Sequence, residues 1–219
     1  MEWRKALDRG VNAFREQGLH TPGWYWVCRP QLVGRRSYDV QQSVRCLVYV
    51  KDGGELLSPL ADMRTLDDVV CHDDRSGEQW VTLFAGPVRP AVESARVRAG
   101  RHETPQGQTE VTVDVDGDLP AVGQWWWCRT NDEAPLMLVD HNGIGPILLH
   151  AGPDQDVHVF LAEGPDGVPV DVGEFGFSEP LVSEGGVIDS TGMLGRDLAV
   201  FHGAVELPAS QPGSFPTIS

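Results

Sequence analysis

From Thr21 onward the apolar residues of this chain come in short runs of about four to eight, separated by Gly, Pro or Asp-Gly. Such runs between turn residues are typical of β-strands, whereas an amphipathic helix needs apolar residues at a helical period. The 25 Gly and 16 Pro residues supply the turns that such a fold requires. We therefore expect a mainly β protein, with strands at 24–29, 43–51, 79–85, 110–115, 124–129, 136–140, 157–162, 168–172 and 198–202.

The N-terminal segment is an exception to this pattern. Trp3, Leu7, Val11 and Phe14 recur at helical spacing, and charged residues occupy the other faces. The spacing predicts one amphipathic helix that ends near Gly18. With this helix the fold is α+β by count, although it remains mainly β.

A seven-residue segment recurs about 100 residues later in the chain. The sequence GWYWVCR at 23–29 matches GQWWWCR at 123–129 in its Gly, its central Trp, its Cys and its Arg. Two weaker matches follow in the same order, the first between VYVKDGGE and VFLAEGPDG and the second between LFAGPV and VFHGAV. Matches that keep one order predict an internal duplication, and hence two related β-rich modules of barrel-like or sandwich-like form.

These patterns predict five regions along the chain. The C-terminal segment is rich in Pro and Ser and has no apolar periodicity, which indicates a flexible tail. We expect an amphipathic helix over 1–20, β-rich module 1 over 21–95, a connecting hairpin or linker over 96–120, an acidic β-rich module 2 over 121–207, and the tail over 208–219.

The charge of the chain is strongly uneven along its length. The first 101 residues hold 15 of the 17 basic residues and 13 of the 32 acidic residues, so they carry +2 and the remaining 118 carry −17. A field of that sign repels nucleic acid and anionic membranes and attracts basic proteins.

No apolar run approaches the ~18–20 residues of a membrane span, and the N-terminus lacks the apolar core of a secretory signal. We expect a soluble cytoplasmic protein that contacts neither membrane nor nucleic acid directly.

The tryptophans raise the question of which strand face is core. Side chains alternate along a strand, so Trp126 and Cys128 share one face, and Trp125 and Trp127 share the other. The face with the Trp and Cys common to both copies is the expected core face. The second face is too apolar for a solvated surface. Either another part of the protein covers it, or it is an aromatic platform for a partner protein or a sugar.

The candidate metal ligands are the cysteines and one run of aspartates. The four cysteines form no Cys-x-x-Cys pair, so reduced thiols without zinc are expected. Asp114, Asp116 and Asp118 alternate as calcium ligands do, but Leu119 and Trp125 stand where such a loop needs Gly and Glu. A strand that ends in an Asp-Gly turn explains the same residues. We expect no metal and no cofactor.

No motif of nucleophilic, nucleotide-dependent or zinc-dependent catalysis is present, and the seven His residues are dispersed. We assign no catalytic residue, although an active site assembled from distant residues stays open.

The charge favours a non-catalytic binding protein whose acidic half docks on a basic protein. An inhibitor, immunity or counter-defence protein of a nucleic-acid-handling enzyme fits, because its carboxylates would stand where the target expects phosphates. The first alternative is a small-molecule or sugar-binding module, or an enzyme, that uses the aromatic faces around Trp125 and Trp127. The second is a structural subunit of an assembly. The partner and the oligomeric state stay open. The partner-binding candidates are Asp114, Asp116, Asp118, Trp125, Trp127, Asp132, Glu133, Asp154 and Asp156.

Overall fold

In the computed structural model the chain divides into two compact units, neither of which is continuous in sequence. Unit 1 contains residues 1–89, 161–174 and 206–219, and unit 2 contains 90–160 and 175–205. The structure describes residues 1–5, 21–33, 37–60, 63–72, 79–103, 105–107, 109–117, 121–130, 138–151, 157–164, 166–170, 180–183, 186–187, 197–209 and 217–218.

The described part of the chain is mainly β, and the one helix in it is a short 3₁₀ helix at Leu66–Val69. The mainly β fold class is therefore confirmed. The strands are β1 (Arg4–Lys5), β2 (Gly23–Val33), β3 (Ser37–Val50), β4 (Leu56–Leu57), β5 (Val70–His72), β6 (Gln79–Val81), β7 (Leu83–Val88), β8 (Ala95–Glu103), β9 (Thr109–Gly117), β10 (Trp125–Thr130), β11 (Gly145–Ala151), β12 (Val157–Phe160), β13 (Ala162–Glu163), β14 (Pro180–Ser183), β15 (Gly186–Val187), β16 (Asp197–Ala204) and β17 (Thr217–Ile218).

Unit 1 is built on an antiparallel sheet with the order β1-β7-β2-β3-β13, in which β4 also pairs with β3. Both faces of the central strand β2 are covered. Tyr25 and Val27 on one face belong to a buried apolar cluster that includes Phe84 of β7. Trp24 and Trp26 on the other face are at most 1% exposed. Burial on both faces explains why β2 is a continuous apolar run rather than an alternating one.

Segments that are far apart in sequence meet within unit 1. The indole Nε1 of Trp26 donates a hydrogen bond to the carbonyl oxygen of Glu206 at 2.8 Å, and the N–H of Ala209 donates to the carbonyl of Met1 at 2.8 Å. The strand β17 pairs with β6 in a small sheet with β5. The region that the composition predicts as a flexible tail therefore contains a paired strand.

The predicted N-terminal helix is wrong at its start. Arg4 pairs with Phe84, and the Arg4 guanidinium lies 4.7 Å from the centroid of the Phe84 ring. Trp3 packs against Cys28 and Leu83. These tertiary contacts outweigh a helical spacing that local sequence alone suggests. Residues 6–20 of the predicted helix lie outside the described residues.

Unit 2 is built on an eight-stranded antiparallel sheet with the order β15-β14-β12-β11-β10-β16-β8-β9. The strand β10 is central, and the region predicted as a connecting hairpin or linker forms β8 and β9 at one end. The end strands β15 and β9 approach within 8 Å between Cα atoms, so the sheet curls. In the described residues neither this sheet nor that of unit 1 closes into the barrel that was one predicted form.

One predicted strand, 136–140, is wrong where it is described. Residues 138–140 are irregular, because the Asp140 carboxylate accepts hydrogen bonds from the N–H of Asn142 at 2.8 Å and of Ile144 at 3.1 Å. Such bonds from an Asp side chain to the backbone that follows it form a turn. The predicted strand 168–172 is reduced, in its described part, to one bridge between Pro169 and Glu163.

Candidate functional site

The acidic candidates of unit 2 are only partly described. The β8–β9 pairing places Asp114 and Asp116 directly opposite Arg98 and Arg96. Directly opposed residues have Cβ atoms roughly 4.5–5.5 Å apart, a separation at which opposite charges attract. Each of these acidic positions therefore has a basic position beside it within its own sheet. The candidates outside the described residues are Asp118, Asp132, Glu133, Asp154 and Asp156.

The Asp-Val-Asp-Gly string that includes these two residues forms the end of a strand. The strand β9 ends at Gly117, whose φ of +92° favours glycine, and a Cβ there would collide with the Ser94 carbonyl oxygen. The strand predicted from the sequence is therefore confirmed as far as Gly117, and the predicted turn stays a prediction because 118–120 lie outside the described residues.

The aromatic candidates are core residues of unit 2. Trp125 is 3% exposed and Trp127 is fully buried, while Trp126 is only partly buried. The neighbouring Cys128 is also fully buried, so both faces of β10 are covered. The expected assignment of Trp126 to the core face and of its neighbours to the second face is thereby corrected. The partner-binding role of Trp125 and Trp127 stays a prediction, and unit 2 presents neither ring as an exposed platform.

The charge is shared between the units more evenly than along the sequence. Unit 1 holds 12 basic and 17 acidic residues, and unit 2 holds 5 and 15, so the units carry −5 and −10. A division at residue 101 assigns +2 and −17 instead. The difference arises because the acidic segments 161–174 and 206–219 belong to unit 1, while the three arginines of β8 belong to unit 2.

A polar cluster surrounds His202 of β16 in unit 2. The imidazole lies near Arg129 of β10, Glu93 and Asp140, and it hydrogen-bonds the backbone of Ala91. Its Nε2 atom is buried and has no hydrogen-bond partner among the described residues. Burial and then the Arg129 charge lower the pKa of His202, against the opposing effects of Glu93, the Ala91 bond and Asp140. The cluster therefore favours neutral imidazole.

The loop beside this histidine is held at several points. The Glu93 carboxylate accepts two hydrogen bonds from Arg96, from Nε and Nη2, each 2.9 Å long. These bonds lower the pKa of Glu93. The Ser94 Oγ accepts a hydrogen bond from the N–H of Gly203 at 3.0 Å, and the N–H of Ser94 donates to the Phe201 carbonyl at 2.8 Å. The loop is thereby fixed to β16.

We expect His202 to make unit 2 sensitive to acid. Its pKa is lower in the folded state than the ordinary 6.5, so the unfolded state binds a proton more readily as the pH falls below about 6.5. The stability of the parent should fall between that pH and the lower folded pKa. The variant His202→Gln should lose less stability over the same interval, measured as urea midpoints at several pH values. His150→Gln, at an exposed position of unit 2, is the control. Equal losses in the parent and His202→Gln would contradict the expectation.

Unit 1 contains a buried ion pair that sequence reasoning missed. The Arg45 guanidinium donates from Nε to Oε1 of Glu163 at 2.6 Å, and Nη2 lies 2.5 Å from the same oxygen. The two side chains are 12% and 5% exposed. The Arg45 guanidinium also lies 5.7 Å from the Trp26 ring centroid. Side chains alternate along β3, so Arg45 lies on the face of the sheet that also carries Trp26. The partner carboxylate is 118 residues away in sequence, and no local pattern predicts it.

Two buried cysteines, Cys28 and Cys128, do not resemble activated nucleophiles. Burial raises the pKa of Cys28 to about 12, an effect that the nearby Arg45 charge only partly opposes. Burial likewise raises the pKa of Cys128 to about 12. A nucleophilic cysteine needs a lowered pKa and access to substrate. These two thiols are therefore structural.

Among the described residues no group of three or more His, Cys, Asp or Glu side chains could hold a metal ion. That part of the chain also has no helix long and apolar enough to cross a membrane. Comparisons with protein-family models, curated proteins and solved structures find no match to this chain.

Proposed function

We propose that this protein is a non-catalytic binding protein that docks on a basic protein through carboxylates of unit 2. The observation that carries the proposal is the composition of unit 2, which has 15 acidic residues and only 5 basic ones. Three of the five are the arginines of β8, and two of these lie opposite acidic positions of β9. The excess negative charge therefore belongs mainly to the rest of the unit, whose acidic residues include Asp132, Glu133, Asp154 and Asp156.

A surface of this kind acts on the rate and the specificity of encounter. It accelerates association with a positively charged protein and repels polyanions, and added salt weakens both effects. Inhibition of a nucleic-acid-handling enzyme is the form of the function that uses both properties, because such an enzyme presents a basic cleft. The carboxylates would then occupy the places of phosphates.

We also propose that the two units derive from a duplication. The structural alignment of their central strands is shifted by one residue from the sequence alignment of 23–29 with 123–129. Phe84 pairs with Val27, and Phe201 pairs with Cys128. Each phenylalanine precedes a glycine with positive φ by two residues. This correspondence aligns Trp26 with Trp127, both fully buried. The strand orders β1-β7-β2-β3 and β8-β16-β10-β11, with β4 and β12 next to β3 and β11, support the same conclusion.

The charge proposal predicts a localised effect of neutralisation. Capture at low salt would first identify a basic protein that salt elutes. We expect Asp154→Asn with Asp156→Asn to slow association with that protein roughly threefold to tenfold at low ionic strength, and less as salt rises. Stopped-flow or surface-binding rates measured against ionic strength provide the test.

The matched control removes the same charge from unit 1. Asp52 and Asp166 are exposed there, so Asp52→Asn with Asp166→Asn changes the net charge equally. We expect this variant to associate nearly as fast as the parent. Equal slowing by both variants would mean that only net charge matters. Rates that do not depend on salt would remove the support for the proposed function.

A further inference from the structure

The outer edge of β9 has features of a template for another strand. Its pairing with β8 runs through nine consecutive residue pairs, from Ala95 with Gly117 to Glu103 with Thr109, without a register shift. Within the described residues β9 pairs on this side alone. In the part of the chain that the structure describes, β15 approaches β9 without pairing with it, and its two residues match only a small part of the length of β9.

Long edge strands usually carry devices that prevent pairing with other chains. Proline, lysine, a bulge or a short length serves this purpose, because each interrupts or repels an incoming strand. The sequence of β9, TEVTVDVDG, has no proline and no lysine, and its pairing shows no bulge. Among the described residues no strand pairs with its outer edge, so its acidic residues are the device against pairing that remains.

Those acidic residues select which strand can pair there. Glu110, Asp114 and Asp116 have the same parity, so they lie on one face of β9. Their partners in β8 are His102, Arg98 and Arg96. A strand added on the outer edge would meet the same three acidic positions. A second copy of β9 would place like charges near one another, which is destabilising, whereas arginine or lysine at alternate positions would be attracted.

We propose that the outer edge of β9 binds an extended segment of the basic partner by strand addition, with basic and apolar residues alternating along that segment. This inference rests on the proposed function and deepens it. The strand β8, ARVRAGRHE, is an example within this chain of a sequence that pairs with β9. Backbone hydrogen bonds supply affinity in strand addition, and alternate side chains supply specificity.

The probe is a capped synthetic peptide with the sequence ARVRAGRHE, added to the full-length protein. Two control peptides keep its charge: one has the same composition with the alternation scrambled, and the other is N-methylated at alternate residues on its pairing edge. We expect each control to bind at least about tenfold more weakly, because N-methylation removes several backbone hydrogen bonds and scrambling misplaces the arginines. Calorimetry or fluorescence anisotropy measures the affinities.

Two readouts on the protein complete the test. Peptide addition should slow the hydrogen exchange of β9 amides, and Asp114→Asn with Asp116→Asn should weaken peptide binding several-fold, unlike Asp52→Asn with Asp166→Asn. Faster exchange in β8 would show that the peptide displaces that strand, and it would overturn the proposal. Equal binding of all three peptides, or no binding, would also overturn it. Either result leaves the proposed function to be judged separately by the rates of the Asp154 and Asp156 variant.

Discussion

Replacing Trp127 with alanine is expected to destabilise the protein by about 3–5 kcal/mol, the usual cost of deleting a buried large aromatic side chain. The indole is fully buried in the central strand of unit 2, where Trp127 pairs with Pro146. Whole domains are stable by only roughly 5–15 kcal/mol, so this variant will be partly unfolded or close to it. Urea unfolding followed by circular dichroism measures the loss.

The neighbouring tryptophan provides the control for this prediction. Trp126 is only partly buried, so Trp126→Ala should cost clearly less than Trp127→Ala. Trp127→Phe keeps most of the apolar volume and should lie between the parent and Trp127→Ala. A larger loss for Trp126→Ala would contradict the core assignment and would favour the face expected from the sequence.

Glu163→Gln is expected to cost about 3–5 kcal/mol, because it leaves the Arg45 charge buried without its counter-ion. The exposed pair of Lys51 and Glu55, 37% and 63% accessible, supplies the matched substitution. Glu55→Gln should change the stability by roughly 0–1 kcal/mol, as is usual for surface ion pairs. Chemical unfolding of both variants measures the difference.

A double variant separates charge from packing in this prediction. Replacing Arg45 with Met and Glu163 with Leu removes both charges and keeps apolar volume, and such replacements are often neutral or stabilising. We expect it to recover most of the stability that Glu163→Gln loses. If the single and double variants are equally unstable, the loss comes from packing against Trp26 and not from the unpaired charge.

The sequence predicts strands well where apolar runs are long and turns are clear. The runs in β2, β10 and β16 each correspond to a strand, because local alternation and turn residues reflect local backbone preferences. The 136–140 run has a similar composition, but in its described part the Asp140 side chain forms a turn instead. Hydrogen bonds from a side chain to the nearby backbone compete with strand pairing, and a pattern of apolar residues does not reveal them.

Face and pairing could not be deduced in the same way. Alternation assigns one core face to a strand, and that reasoning fails for β10 because both of its faces are covered. The ion pair of Arg45 and Glu163 joins strands that are distant in sequence, so no local sequence pattern predicts it. Likewise the net charges of the two halves of the sequence differ from those of the two units, because unit 1 is made of three separate segments of the chain.

The interleaved course of the chain has a consequence for its synthesis on the ribosome. The acceptor of the Trp26 indole lies 180 residues further along the chain, at Glu206. The ion pair of Arg45 and Glu163 likewise cannot form until Glu163 has been synthesised. The N-terminal hairpin of β2 and β3 therefore emerges long before the residues that complete its surroundings. Unit 1 therefore cannot complete its packing while its first strands emerge, and that packing must follow the synthesis of the chain as far as Glu206.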